Sequence, residues 1–141
     1  MKRLYVEDVE SLRRATARSL KHRELDVIAT ATVAEAVASI PDGDFALILD
    51  FSLADGETGA DVLSAVWECL GFEGRDRLKA VFFFASNYGG DENGGGDFDR
   101  LRDVARELPG FDVGRLRCFL KPGGYESLVD ALKKLDVERG G

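Results

Sequence analysis

Apolar residues in this chain occur in short unbroken runs, separated by segments in which they recur at helical spacing. The central run, Phe45–Leu49, contains five apolar residues in succession and is followed by Asp50. A run without alternation predicts a strand that is buried on both faces of a parallel sheet. Comparable runs predict four further strands, at residues 3–6, 26–31, 79–86 and 116–120.

Between the runs, apolar residues three and four positions apart are typical of amphipathic helices with one packed face. This spacing predicts five helices, at residues 10–22, 34–40, 58–71, 98–108 and 126–138. In the first helix, Leu12 and Leu20 are expected on the packed face. In the third, Trp67 is expected to be a core residue rather than a platform for a ligand, and Gly71 is expected to end the helix.

Strand and helix alternate five times, which predicts an α/β fold of three layers, with helices on both faces of a five-stranded parallel sheet. The length of 141 residues predicts a single domain covering 1–141, with a glycine-rich polar insertion at about 87–97. No apolar run approaches the roughly 20 residues of a membrane helix, and no signal peptide is visible. We therefore expect a cytoplasmic protein without a membrane partner.

Composition narrows the classes of function. The net charge of −7 argues against direct binding of nucleic acid, which requires a basic surface. Cys69 and Cys118 lack metal-type spacing and are expected to be buried free thiols in a reducing compartment. His22, the only histidine, lies at the predicted end of a helix, so a solvated position is favoured over a metal or phosphorelay role. Ser-His-Asp catalysis has no support.

Polar side chains lie at the ends of four of the five predicted strands: Glu7 and Asp8, Asp50, Ser86, and Lys121. Because the carboxyl ends of parallel strands share one edge of the sheet, we expect these side chains to converge there. Carboxylates that lie together repel one another unless a cation neutralises them, and Mg²⁺ prefers such hard oxygen ligands. Asp50 is the prime candidate, although a carboxylate in this place can simply end a strand.

In these features the chain resembles the receiver domain of two-component response regulators. The resemblance rests on five pieces in order: Glu7-Asp8, Asp50, the turn Leu53-x-Asp55-Gly56-x-x-Gly59, Ala85-Ser86, and Lys121-Pro122. It implies a flavodoxin-like sheet of strand order 2-1-3-4-5. It also implies a stand-alone signalling protein, without an output domain, rather than an enzyme in the ordinary sense.

The resemblance further implies how such a protein would work. Asp50 would accept a phosphoryl group from a histidine kinase or a phosphotransfer protein. Mg²⁺ would be held by Asp8, by Asp50 and by the main-chain carbonyl of Ser52, with Glu7 acting directly or through a water molecule.

The readout implied by the resemblance involves two further residues. Lys121 would bind a phosphoryl oxygen, and the hydroxyl of Ser86 would swing towards the phosphoryl group. The movement would change how the protein docks on a downstream protein target.

Several positions depart from the receiver pattern. Cys118 stands where an aromatic switch residue is usual, Ala54 replaces a usual proline, and an ungapped comparison places Ala85 rather than Ser86 at the hydroxyl position. The departures at Cys118 and at Ala85/Ser86 favour an alternative function, a pseudo-receiver that binds partners without phosphorylation. An aspartate-nucleophile phosphatase is disfavoured, because Ser52 stands where such enzymes carry a second aspartate.

Overall fold

The structure is a computed structural model that describes residues 1–50, 53–85, 97–120 and 124–140. Across these residues the strands form one parallel sheet: β1 (Lys2–Val6), β2 (Ile28–Thr30), β3 (Phe45–Leu49), β4 (Leu78–Ala85) and β5 (Leu116–Leu120). Their spatial order is β2-β1-β3-β4-β5. The predicted flavodoxin-like order is therefore confirmed.

The helices are α1 (Glu10–His22), α2 (Val33–Ala38), α3 (Gly59–Gly74), α4 (Asp97–Glu107) and α5 (Tyr125–Gly140). Short 3₁₀ turns lie at Ala54–Gly56, Arg75–Arg77 and Val113–Arg115. Buried residues of α2, α3 and α4 belong to one hydrophobic core, and those of α1 and α5 belong to another. The sheet separates the two cores, so the predicted three-layer architecture is confirmed.

The central strand is fully enclosed, because all five residues of β3 have no exposed surface. Trp67 of α3 is only 2% exposed, and its ring meets that of Phe111 edge-on at a centroid distance of 5.1 Å. The indole Nε1 donates a hydrogen bond to the Pro109 carbonyl oxygen at 2.9 Å. Trp67 is thus a core residue whose polar atom is satisfied, as predicted.

The packed face of α1 differs from the predicted one. Leu12 is 46% exposed, whereas Leu20 is fully buried. The less exposed residues of the helix are Arg13, Thr16, Ala17, Ser19 and Leu20, of which 13, 16, 17 and 20 share one face at helical spacing. The helix is therefore rotated so that Arg13, not Leu12, is directed towards the sheet.

Gly71 leaves helical geometry (φ 66°, ψ 177°), so the predicted end of the main helix is confirmed, and a short helical turn follows it to Gly74. Two smaller predictions need correction. The second strand is shorter than residues 26–31, because β2 is an edge strand that pairs only with β1, over three residues. Cys69 is exposed and Cys118 is partly buried, so the expectation of two buried thiols was wrong. Cys69 follows Glu68 on the side of α3 that faces solvent.

Candidate functional site

The strand register brings two of the predicted acids to the same edge of the sheet. β1 and β3 are neighbours, and their last paired residues are Val6 and Leu49. Glu7 and Asp50 follow these two residues directly in the chain. The backbone N–H of Glu7 donates to the Thr30 carbonyl oxygen at 2.9 Å, which extends the β1–β2 ladder by one residue. Glu7 is only 2% exposed and Asp50 is partly exposed.

The hydroxyl of Tyr5 reports the charges around this edge. Burial raises the pKa of the Tyr5 phenol well above its usual value, an interaction with Thr16 lowers it, and the charges of Glu7 and Asp50 raise it further. Arg13 acts in the opposite direction. Among the described residues, the Tyr5 Oη has no partner at hydrogen-bond geometry. The charges of Glu7 and Asp50 therefore both raise the pKa of the same buried phenol, that of Tyr5.

Arg13 binds the backbone of the acidic pair. Its Nη1 donates to the carbonyl oxygens of Glu7 at 2.9 Å and Asp8 at 3.4 Å. The loop between β1 and α1 is thereby tied to the first turns of the helix. The contact brings one permanent positive charge to the backbone of the loop that carries Glu7 and Asp8.

A glycine at the start of α3 allows this helix to lie against the backbone of Asp50. A Cβ added to Gly59 would lie 2.2 Å from the Asp50 carbonyl oxygen and 2.8 Å from the Leu49 Cδ1. Such distances are far below van der Waals contact, so α3 can begin against the end of β3 only with glycine at this position. The second glycine of the predicted turn thus has a packing role that the sequence motif alone does not explain.

The turn between β3 and α3 has the backbone expected of Asp55-Gly56. Both residues have positive φ, 59° and 77°, and this conformation suits aspartate and glycine. Leu53 N donates to the Glu57 carbonyl oxygen at 2.9 Å, which closes the turn. Thr58 and Asp61 then form a reciprocal capping box at the start of α3.

Of the remaining predicted site residues, the structure describes only Asp8. Asp8 is partly exposed, with its carbonyl oxygen bound by Arg13. β4 and β5 pair as far as Ala85 and Leu120. Ser86 and Lys121 come next in the chain, and they lie outside the described residues, as do Ser52 and the glycine-rich segment up to residue 96. Asp97, predicted to end that insertion, begins α4.

The described side chains can be compared with the needs of a magnesium ion. Within residues 1–50, 53–85, 97–120 and 124–140, no three histidine, cysteine, aspartate or glutamate side chains form a group that could hold a metal. Magnesium, however, is commonly bound by one or two carboxylates, completed by water and by phosphate oxygens. Asp50, which follows β3, and the acidic pair Glu7-Asp8, which follows β1, can supply such a smaller set from the same edge of the sheet.

Sequence reasoning missed Arg13, Tyr5 and Thr16 at this edge. The apolar pattern of the first helix directs attention to Leu12 and Leu20, and the strand at residues 3–6 gives no separate indication for Tyr5. A signal was present, because residues 13, 16 and 20 share the spacing of a helix face that ends in the buried Leu20. Arginine on the packed face of a helix indicates a specific partner.

Solved structures similar to this chain are receiver domains. The chemotaxis protein CheY4 of Vibrio cholerae has a TM-score of 0.64 at 19% identity, over 94% of this chain and 96% of that one. The receiver domain of HemR from Leptospira biflexa has a TM-score of 0.62 at 23% identity, over 96% and 94%. The beryllofluoride-activated NtrC4 receiver domain has a TM-score of 0.61 at 20% identity, over 98% of both chains. This chain has the receiver fold.

These similarities come from comparison of structures. No sequence model of a known family matches the chain, and no curated protein matches it. None of the helices in the described part of this chain is long and apolar enough to span a membrane.

Proposed function

We propose that this receiver-fold protein is a phosphoacceptor signalling module and that Asp50 accepts the phosphoryl group. A carboxylate oxygen of Asp50 forms a bond to phosphorus while the bond from phosphorus to an imidazole nitrogen of a phosphohistidine breaks. The imidazole nitrogen keeps the electron pair of that bond. The donor would be a histidine kinase or a phosphotransfer protein, and the acceptor would signal by docking differently on a downstream protein.

The observation that supports this proposal is the register of β1 and β3, whose last paired residues, Val6 and Leu49, are directly followed by Glu7 and Asp50. Asp50 is partly exposed, as a nucleophile must be, whereas Glu7 is buried. Gly59 allows the first turn of α3 to pack directly against the Asp50 carbonyl group, and this packing limits the movement of the Asp50 backbone. A reacting oxygen that is held in place loses less entropy when the transition state forms.

Magnesium would be held by the carboxylates of Asp50 and Asp8, with Glu7 acting directly or through water and the main-chain carbonyl of Ser52 as a further ligand. When bound, it would neutralise negative charge between the carboxylates and the incoming phosphoryl oxygens. Lys121 would bind a phosphoryl oxygen and Ser86 would supply the hydroxyl of the switch. Arg13 holds the loop that carries the acidic pair through its two carbonyl contacts.

The experiment is labelling by a small phosphodonor such as acetyl phosphate, with and without Mg²⁺, read out by the mass of the intact protein. We expect the wild type to gain one phosphoryl group only with Mg²⁺, and Asp50→Asn to gain none. Asp42→Asn is the matched control, because Asp42 is exposed in the loop before β3 and should leave labelling unchanged. Labelling of Asp50→Asn at the wild-type level would place the phosphoryl group elsewhere and contradict the proposal.

Mass is a better readout than tryptophan fluorescence. The single Trp67 lies eight residues beyond Gly59, which is about 12 Å along the helix axis, and it is enclosed by Phe111. A phosphoryl group on Asp50 would therefore change its surroundings little.

A pseudo-receiver that binds partners without phosphorylation is the second candidate. The observation that favours it is the guanidinium of Arg13, a permanent cation fixed beside the acidic pair. It could take over the neutralising role of a metal. Binding of beryllofluoride separates the two functions, because a phosphoacceptor should bind this phosphoryl mimic with Mg²⁺ and a pseudo-receiver should not.

A further inference from the structure

A cavity lies at the opposite end of the sheet from Asp50, near the starts of β4 and β5, where α5 covers them. It has a volume of about 250 Å³. Its lining residues include four cations: Lys79, Arg115, Arg117 and Lys134. The other lining residues are Ala80, Phe82, Gly114, Ala131 and Leu135, so no carboxylate lines the cavity among the described residues. This concentration of positive charge stands out in a chain with a net charge of −7.

The four cations have no acidic partner among the described residues. Within the described residues, none of them forms an ion pair. Arg3 lies at the same end of the sheet but differs from these four cations, because its guanidinium forms an ion pair with Asp136 at 2.5 Å. Unpaired cations that share a cavity repel one another. A bound anion would relieve that repulsion.

Local structure aims these side chains at the cavity. The register between β3 and β4 slips between Phe45 and Ala46, whose partners are Leu78 and Ala80. Lys79 is thus the extra residue of a β-bulge, a feature that redirects a side chain. It lines the cavity together with its neighbour Ala80, although successive residues of a regular strand point to opposite faces.

The two arginines are held in position before any ligand arrives. Arg115 Nη1 donates to the Leu78 carbonyl oxygen at 2.9 Å. The guanidinium of Arg117 lies over the Phe119 ring, 5.0 Å from its centroid. Fixed guanidinium groups bind phosphate oxygens with two parallel hydrogen bonds and lose little entropy on binding.

We propose that this cavity is a binding site for an oligophosphate chain, either inorganic or carried by a nucleotide. One phosphate group carries about −1.5 to −2 charges at neutral pH, so two or more are needed to balance four cations. The cavity volume, 250 Å³, is below the roughly 300–1,000 Å³ of sites for drug-sized ligands. It suits a short phosphate chain better than a peptide segment.

The test is calorimetric titration of the full chain with sodium tripolyphosphate in Tris buffer that has been freed of metal on a chelating resin. A soluble chelator is avoided because its carboxylates would compete for the cavity. We expect one binding site per chain. The double variant Arg117→Gln/Lys134→Gln should weaken binding by roughly a hundredfold, about tenfold for each cation. Both residues are exposed, so the variant should fold, as circular dichroism would verify.

Matched controls remove the same charge elsewhere. Arg14 on α1 and Arg100 on α4 have side chains that are 73% and 61% exposed, and Arg14→Gln/Arg100→Gln should bind like the wild type. An equal loss in both double variants would show unspecific attraction and overturn the proposal. Inorganic monophosphate that binds as tightly as tripolyphosphate would overturn the oligophosphate assignment. An oligoglutamate peptide that binds more tightly than tripolyphosphate would replace it with a docking site for an acidic protein segment.

Two further arms complete the design. ATP carries the same triphosphate chain, so tighter binding of ATP than of tripolyphosphate would identify a nucleotide ligand, and weaker binding an inorganic one. Asp50→Asn should bind tripolyphosphate as the wild type does, because its carboxylate lies at the other end of the sheet. A loss of binding in Asp50→Asn would contradict a separate site, whatever the outcome of the phosphorylation experiment.

Discussion

The two acids that follow strands at one end of the sheet and the four cations of the cavity at the other end are brought together in different ways. At the carboxyl end, Glu7 and Asp50 are the residues that directly follow two neighbouring strands. At the amino end, four cations come from a bulge in β4, a 3₁₀ turn, β5 and α5. Acids placed directly after strands are brought together by the topology alone. The basic cavity depends on a register slip and on how α5 covers the sheet.

The largest difference in stability is expected between two glycines of α3. Gly59 begins the helix at the carboxyl end of the sheet, and Gly74 lies at the other end of the helix. Gly59→Ala should lower the free energy of unfolding by about 3 kcal/mol, because its Cβ would collide with the Asp50 carbonyl oxygen. Gly74→Ala is the matched control. Its Cβ meets nothing closer than 3.5 Å, so the change should stay within about 1 kcal/mol. Urea unfolding measures both.

If Gly59→Ala were as stable as the wild type, the close approach of α3 to the end of β3 would be wrong. The same variant should also lose phosphoryl labelling, because the backbone of Asp50 must move to admit the methyl group. Gly74→Ala should label normally.

The arginine at the carboxyl end should matter more than its neighbour on the same helix. Arg13→Gln should cost about 2 kcal/mol of unfolding free energy, because two carbonyl oxygens lose a charged donor. Arg14→Gln should cost less than about 0.5 kcal/mol, since its ion pair with Glu10 is exposed. Thermal unfolding of the two variants side by side tests this, and equal costs would show that the Arg13 contacts contribute nothing specific.

Loss of the hydroxyl group should change the free energy of unfolding in opposite directions at Tyr5 and Tyr125, the two tyrosines on the side of the sheet that α1 and α5 cover. Tyr5→Phe should raise the free energy of unfolding by about 1 kcal/mol, because the buried hydroxyl of Tyr5 has no partner at hydrogen-bond geometry among the described residues. Tyr125→Phe should lower it by about 1 kcal/mol, because the Tyr125 hydroxyl is hydrogen-bonded to Ser19 at 2.6 Å. Destabilisation by Tyr5→Phe would reveal a partner for that hydroxyl.

Tyr5 also predicts a pH dependence. Its pKa is raised by burial in the folded protein, so the unfolded chain releases the proton first as the pH rises past about 10. This contribution to stability is complete below that pH and is lost above it, by up to about 1.4 kcal/mol per pH unit. Tyr5→Phe should remove that loss, which unfolding curves between pH 9 and pH 11 would measure.

The smallest effect is expected at the amino end. Lys134→Gln should raise the free energy of unfolding by a few tenths of a kcal/mol, because it relieves repulsion among the four cations. Arg102→Gln should lower it by a similar amount, because Arg102 pairs with Asp99 on α4. High salt should abolish both differences. If Lys134→Gln instead lowered the free energy of unfolding in low salt, the charges of the cavity cations would already be neutralised.

Most of the fold could be predicted because strand runs and helix spacing are local properties. Phe45–Leu49 lies in the centre of the sheet as its unbroken apolar pattern indicates. Errors arose where a local pattern was ambiguous. Leu12 and Arg13 are adjacent, and a rotation of α1 by one position decides which of them is directed towards the sheet.

The candidate site could be predicted in part for a related reason. Glu7 and Asp50 follow the last paired residues of two neighbouring strands, a position that the apolar runs of β1 and β3 predict. The contacts of Arg13 and the burial of the Tyr5 hydroxyl require the packing of α1 onto the sheet. Neither follows from spacing along the chain.

The sequence by itself determined the order of the elements, the central strand and the acids at the carboxyl edge, because each depends on neighbours in the chain. The tertiary structure alone decided that Gly59 touches the Asp50 carbonyl oxygen and that Lys79, Arg115, Arg117 and Lys134 share a cavity. These groups are separated along the chain, and their meeting depends on a bulge and on helix packing, which a one-dimensional pattern does not encode.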